Sequence, residues 1–342
     1  MSKNRGHATS CVTLEENVMD PKNRGSAFGL SDEAFVLPTQ QAPHYYRFML
    51  GDARATIVSD GYLPIGKPSS TFQNVAPGEV DRQLEDNFLP THNMLAEQNV
   101  LVIELDGKIV VFDTGMGSLK EYKGVRFGET PGQLMKNLAV AGIDPASVSA
   151  VVLSHAHIDH CGGIIGEDDA EHFPNAEFFV SRKEFEYWTD IDQPNHLQRD
   201  QARRNLLPVH NRIHFVEDGE EFLPGVTAIS TPGHSPGHMC FRIARGDQTL
   251  TFLGDLVHHH VLLVQTPLME FLFDEDPQLS AQTRVKTLKD LAEGRNWCLG
   301  FHLPWPGLGH FVKDGEGYRF IASPMRMLPD LNMAEPELYW PE

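Results

Sequence analysis

The segment Ser154-His155-Ala156-His157-Ile158-Asp159-His160 places three imidazoles and a carboxylate within six residues. His155 and His157 are two positions apart, so on an extended or turning backbone both side chains can face one side. Asp159 and His160 are adjacent and need a tight turn or a helix start to join them. Imidazole and carboxylate are the ligands of zinc and related divalent ions. Packing alone gives no reason to gather them. A solvated polar loop at a strand end would account for one such residue but not for the set. An apolar run, Val148 to Leu153, leads in, and Cys161-Gly162-Gly163 follows.

Other strand-like runs end in the same chemistry. Asn99 to Glu104 and Lys108 to Phe112 flank Asp106-Gly107, a hairpin signal, and the second run ends at Asp113. Val226 to Ser230 opens into Thr231-Pro232-Gly233-His234, Thr249 to Leu253 into Gly254-Asp255, and Trp297 to Gly300 is followed by His302. Ligands at strand ends along one edge of a sheet sandwich would converge on one site. Arg47 to Leu50 and Ala53 to Ser59 read as earlier strands. Helices are expected from Gly78 to Asp86, from Thr130-Pro131 to Gly142, from a Ser181 cap onward, and from Asp276-Pro277 to Gly294. In the last, Val285, Leu288 and Leu291 are expected to face inward. Residues 1–42 read as an N-terminal arm, disordered or interface-forming. Residues 43–342 read as one domain, irregular past Tyr318.

The 342 residues carry 28 Lys and Arg against 47 Asp and Glu, a net charge of −19. Such a surface repels phosphate backbones and anionic membranes, which excludes a nucleic-acid or membrane-surface role. An apolar content of 41% is enough for a substantial core. No apolar run approaches the roughly 18 residues of a membrane span. The polar N-terminus lacks a signal-peptide apolar region. Cys11, Cys161, Cys240 and Cys298 are widely spaced, without a paired framework. A reduced, cytoplasmic setting is the simplest expectation. Cys161 reads as a small buried residue rather than a nucleophile.

Taken together, these residues resemble the metallo-β-lactamase superfamily from about Arg47 to about Tyr318. The His-x-His-x-Asp-His motif stands at His155 to His160, and the Pro-Gly-His segment at His234. The Gly-Asp pair stands at Asp255, and the late His at His302. The resemblance implies an αββα sandwich of class α/β: two mixed β-sheets face to face, flanked by helices. It implies two divalent metal ions, zinc foremost, with Mn, Fe or Co also compatible. His155, His157 and His234 would hold one ion, Asp159, His160 and His302 the other, and Asp255 would bridge both. Asp113 would support the histidine loop by hydrogen bonding. Asn93-Met94-Leu95, the segment from Gly254 to Gln265 and the one from His302 to His310 are similar to the lactonase and methyl parathion hydrolase branch, a branch that also suggests a homodimer.

The implied reaction is attack by a metal-shared hydroxide on hydrophobic lactones, aryl esters or organophosphate triesters, with Asp159 and Asp255 at the reacting centre. A β-lactam hydrolase or a hydrolytic dehalogenase on the same fold is the alternative, and a non-catalytic metal-binding scaffold a remote one. The substrate partner is a small hydrophobic ester. Phe72, Trp188, Phe271, Phe273 and Trp305 lie in loops or beside ligands and are candidates for an apolar pocket wall. His258 occupies a position where that branch often carries His. His238 is expected to be structural.

Overall fold

The computed structural model describes residues 42–326. The arm, apart from Ala42, and the end of the C-terminal tail lie outside them. Seven strands form the first sheet, in chain order Tyr45–Leu50 (β1), Ala53–Gly66 (β2), Met94–Leu105 (β3), Lys108–Phe112 (β4), Val148–Val152 (β5), Glu177–Ser181 (β6) and Ile213–Val216 (β7). Pairing is antiparallel from β1 to β4 and parallel from β4 to β7, so the sheet is mixed. The second sheet contains Glu221–Leu223 (β8), Val226–Ser230 (β9), Met239–Arg245 (β10), Gln248–Phe252 (β11), Trp297–Leu299 (β12), Leu308–Asp314 (β13) and Gly317–Ala322 (β14). It is antiparallel except where β11 meets β12.

β-Branched and aromatic residues recur through these runs, most densely in β4 (Lys108-Ile109-Val110-Val111-Phe112) and β7 (Ile213-His214-Phe215-Val216), as a pleated, packed surface favours. The two sheets share one core. Phe112 of the first sheet packs against Phe241 and Phe252 of the second, with ring centroids 5.7 and 5.6 Å apart. The helices that bear on the site are Glu79–Asp86 (α1), Leu134–Val140 (α2), Ile158–Cys161 (α3), Arg182–Thr189 (α4), His196–Leu206 (α5) and Pro277–Gly294 (α6); single helical turns also stand at Pro68–Thr71 and Leu262–Gln265. Two mixed sheets flanked by helices are the αββα sandwich. Among the described residues, no helix is long and apolar enough to cross a membrane.

Three expectations are corrected. Helix α2 begins at Leu134 rather than at Thr130-Pro131. The Thr130 hydroxyl donates to the Tyr62 carbonyl and so does not cap the helix. The free N–H groups of Gly132 and Leu134 are instead taken by the buried Asp60 carboxylate, at 3.0 and 2.7 Å. Val285 of α6 is exposed, and the inward face is Ala281, Leu288 and Leu291. Past Tyr318 the chain stays regular to Ala322, because β14 pairs along β13.

Candidate metal centre

The expected residues meet at one edge of the sandwich. Asp113 follows β4, and its N–H donates to the Val152 carbonyl of β5 at 2.9 Å. It is fully buried, with φ of 59°. Its carboxylate accepts from the Ser154 N–H, the Ser154 hydroxyl and His160 Nδ1, each at 2.7 Å. His160 Nδ1 therefore carries a proton and Nε2 faces inward; burial opposes a charge on this ring, but the Asp255, Asp159 and Asp113 carboxylates hold its pKa well above the usual histidine range. His157 precedes α3, which brings Asp159 and His160 round to the same side.

The remaining imidazoles are pinned in the same manner. His155 Nδ1 lies 3.0 Å from the Ser154 hydroxyl. His234 Nδ1 lies 2.8 Å from Asp274 Oδ1, and His302 Nδ1 donates to the Glu97 carbonyl at 2.7 Å. His157 presents Nδ1, 3.0 Å from His234 Nε2. Asp255 stands between two groups of rings. Its Oδ2 lies 3.1 Å from His234 Nε2 and 3.7 Å from His155 Nε2, while its Oδ1 lies 3.1 Å from His160 Nε2 and 3.3 Å from His302 Nε2. Asp159 Oδ2 lies 3.3 Å from His302 Nε2.

Gly254 lets Asp255 into this position. Its φ is +50°, and a Cβ there would fall 2.6 Å from Ser154 Cβ and 2.7 Å from His238 Nε2. His238 is structural: its Nε2 accepts from the Asp255 N–H at 2.9 Å, and its Nδ1 lies 2.8 Å from the Thr231 hydroxyl. Burial pushes its pKa down to about 3. Cys161 is buried, its thiol pKa is raised by burial, and its Sγ donates to the Ala156 carbonyl.

The donor set fits divalent cations. His155 Nε2, His160 Nε2 and Asp255 Oδ1 are buried without a hydrogen-bond partner, an expensive arrangement unless another species satisfies them. Among the described residues, each trio of His, Cys, Asp or Glu with converging ligand atoms draws on this one cluster. Charge points the same way. Burial opposes the charge of His234 and His302, yet Asp255 with Asp274, and Asp255 with Asp159, raise them to about 9 and about 10. Burial also opposes the charge of Asp159, but His160 and His302 hold it at about 2. Protons here balance clustered carboxylates, and cations can take their place. Burial keeps His155 and His157 well below the usual histidine range, hence neutral and able to ligate.

A cavity of about 470 Å³ opens over this cluster, within the range of small-molecule sites. Asp159, Asp255, His157, His234 and His302 form its floor. Leu63, Ile65, Val125, Phe127, Leu197 and Phe271 supply much of an apolar wall. Of the aromatic candidates, Phe271 and Phe273 line the cavity and Phe72, Trp188 and Trp305 do not. Phe72 stands behind Phe271, centroids 5.3 Å apart. Trp188 stands behind His157 and donates to the Ser235 hydroxyl at 2.8 Å. Trp305 packs on the main core. His258 does line the cavity, with Nε2 3.0 Å from Asp255 Oδ2 and its ring stacked on Phe271. His259 is structural instead, its Nδ1 accepting from the Val261 and Leu262 N–H groups.

Beside the cluster, two buried carboxylates carry no site signal in the sequence. Glu184 of α4 accepts from the Ala156 N–H, the Gly237 N–H and the Ser235 hydroxyl, and so joins the loop of His155 and His157 to that of His234. Asp274 orients His234, and the next two residues bond back to that loop: the N–H groups of Glu275 and Asp276 donate to the carbonyls of His234 and Gly233. Glu184 falls in Ser181-x-x-Glu184, a pattern that reads as a helix cap, and Asp274 has no spacing signal at all.

An αββα sandwich with a buried histidine and carboxylate cluster at one edge defines a class of metal-dependent hydrolases. Residues 95–294 match the model of the metallo-beta-lactamase superfamily, and the chain belongs to that family. It is 35% identical over 111 residues to the N-acyl homoserine lactonase AttM of Azorhizobium caulinodans, an alignment covering 30% of this chain and 38% of that protein. It is 30% identical over 194 residues to an N-acyl homoserine lactonase of Bacillus thuringiensis, covering 56% of this chain and 67% of that protein. Among solved structures it is similar to AidC, a dizinc quorum-quenching lactonase in complex with the product N-hexanoyl-L-homoserine. The TM-score is 0.76 at 27% identity, over 82% of this chain and 98% of that one.

Proposed function

We propose that this metal-dependent hydrolase holds two divalent cations, zinc foremost, and opens small hydrophobic lactones, with N-acyl homoserine lactones as the first class to test. The carrying observation is the Asp255 carboxylate, whose two oxygens face two separate groups of imidazoles beneath an apolar cavity. His155, His157 and His234 would hold one ion, Asp159, His160 and His302 the other, and Asp255 both. When bound, such ions supply Lewis acidity and a water of lowered pKa for attack on a carbonyl. The chain supplies the rest. Asp159 reaches the cavity as an ionised carboxylate, the form that takes up a proton. His258, held on Asp255 and Phe271, fixes one side of the reacting centre. The wall from Leu63 to Phe273 accepts an acyl chain and excludes water. The lactonase names of the relatives support the same reading.

The test is a metal count with a substrate panel. About two ions per chain are expected, with turnover of a hydrophobic lactone above that of an aryl phosphotriester, an aryl ester or a β-lactam. Asp255→Ala should lose at least one ion together with most activity. A metal-replete protein that turns over none of the panel would overturn the proposal.

A further inference from the structure

Arg284 of α6 is fully buried. A guanidinium taken out of water is costly unless its N–H groups are paired. Here Nε donates to the Leu256 carbonyl at 3.0 Å, and Nη1 to the carbonyls of Pro267 and Met269 at 2.9 and 2.8 Å. Nη2 donates to the Ser280 hydroxyl at 3.1 Å and reaches Asp274 Oδ2 at 3.5 Å. The other oxygen of Asp274 holds His234 Nδ1 at 2.8 Å. One side chain thus gathers the segment that follows Asp255 and the carboxylate behind His234. The opposite side of the cluster is supported otherwise: His160 rests on Asp113, and His302 on the Glu97 carbonyl.

We propose that Arg284 is a positioning residue for the metal centre: through Asp274 it fixes the His234 ring and so sets the retention of the ion shared by His155, His157 and His234. This rests on the two-ion reading. Asp274 accepts from both neighbours. Without the guanidinium one of the two anchors on that carboxylate is gone, and the acceptor of the His234 ring is held less firmly. Partners of this kind set metal affinity by about 10–100-fold. Among the described residues, Asp274 bonds to neither His160 nor His302, and Arg284 touches their side only through the Leu256 backbone next to Asp255.

The experiment loads full-length protein with cobalt and titrates it with a chelator, following the visible spectrum and the metal count. In the wild type two release steps are expected. In Arg284→Met and in Asp274→Asn, one ion should leave about 10–100-fold more readily while the other stays within about threefold of the wild type. Asp274→Asn keeps the shape of the side chain, but its amide must turn N–H groups toward His234 Nδ1 or toward the guanidinium, both donors. It therefore carries the test if Arg284→Met does not fold. The double variant should be no weaker than the weaker single one, because both act through one contact. Wild-type retention of both ions in Asp274→Asn, or equal loss of both, overturns the proposal. A wild type that holds a single ion refutes the two-ion reading itself and removes the inference with it.

Discussion

Asp113→Asn changes almost no volume, yet it should cost the protein an ion. The Asp113 carboxylate is an acceptor only, and three donors converge on it at 2.7 Å. Asparagine offers one oxygen and one NH₂ group. Turning the amide nitrogen toward the Ser154 N–H would set two donors against each other where the backbone cannot rotate, a loss of about 1–3 kcal/mol. The oxygen therefore stays there, and the nitrogen faces the Ser154 hydroxyl and His160. The hydroxyl can rotate to accept. His160 Nδ1 can accept only by moving its proton to Nε2, the atom 3.1 Å from Asp255 Oδ1. A ring protonated there cannot ligate. Restoring the ligating tautomer forfeits a hydrogen bond to a charged group, about 1.5–3 kcal/mol, or on the order of 10- to 100-fold in affinity. The ion lost should be the one on the side of Asp159, His160 and His302, opposite to the one affected by Arg284. A stepwise chelator titration of metal-loaded protein reads this directly, and denaturant unfolding of the metal-free form checks that the fold survives. Release of both ions at wild-type chelator concentrations would refute the tautomer argument.

Glu184→Gln places an amide donor against the Ala156 N–H, the Gly237 N–H or the Ser235 hydroxyl; it should lower the unfolding free energy by about 1–3 kcal/mol and weaken the ion on the His234 side, measurable by urea denaturation and metal count. Phe273 is 51% exposed at the cavity mouth and Phe72 is 2% exposed behind the wall. Phe273→Ala should raise KM for long-chain lactones with a stability change within about 0.5 kcal/mol, whereas Phe72→Ala should cost about 3–5 kcal/mol of stability; the reverse pattern in kinetics and thermal melts would misplace the wall. Burial, aided by His260, lowers His259 to about 3, so the unfolded chain binds its proton first as pH falls below the ordinary histidine value. The contribution of His259 is thus complete above about pH 6.5 and is lost toward pH 3. The stability deficit of a metal-free His259→Asn variant should be largest at pH 7 and shrink by pH 4, and a deficit constant with pH would contradict this assignment.

The proposed ligands are legible because metal binding would impose residue type and spacing together: His155, His157, Asp159 and His160 crowd one loop, and His234, Asp255 and His302 each follow a strand-like run. What holds them carries no such signature. Asp60 caps α2 from 74 positions away and displaces its start past Pro131, which no local reading of Thr130-Pro131 can reveal. Glu184 and Asp274 are lone carboxylates whose partners lie on other loops, and Arg284 looks like any helical arginine until its five contacts are seen. The same holds for the aromatics. Phe72, Trp188, Phe271 and Phe273 differ in role only by which side of a wall the tertiary fold leaves them on. Positioning groups of this kind are also the ones that separate the two halves of the cluster. Asp113 serves His160 directly and reaches His155 only through the Ser154 hydroxyl, while Arg284, Asp274 and Glu184 serve the loops of His155, His157 and His234. If each half has its own support, the two cations should be lost independently, one in Asp113→Asn and the other in Asp274→Asn, with the shared carboxylate of Asp255 as the link between them.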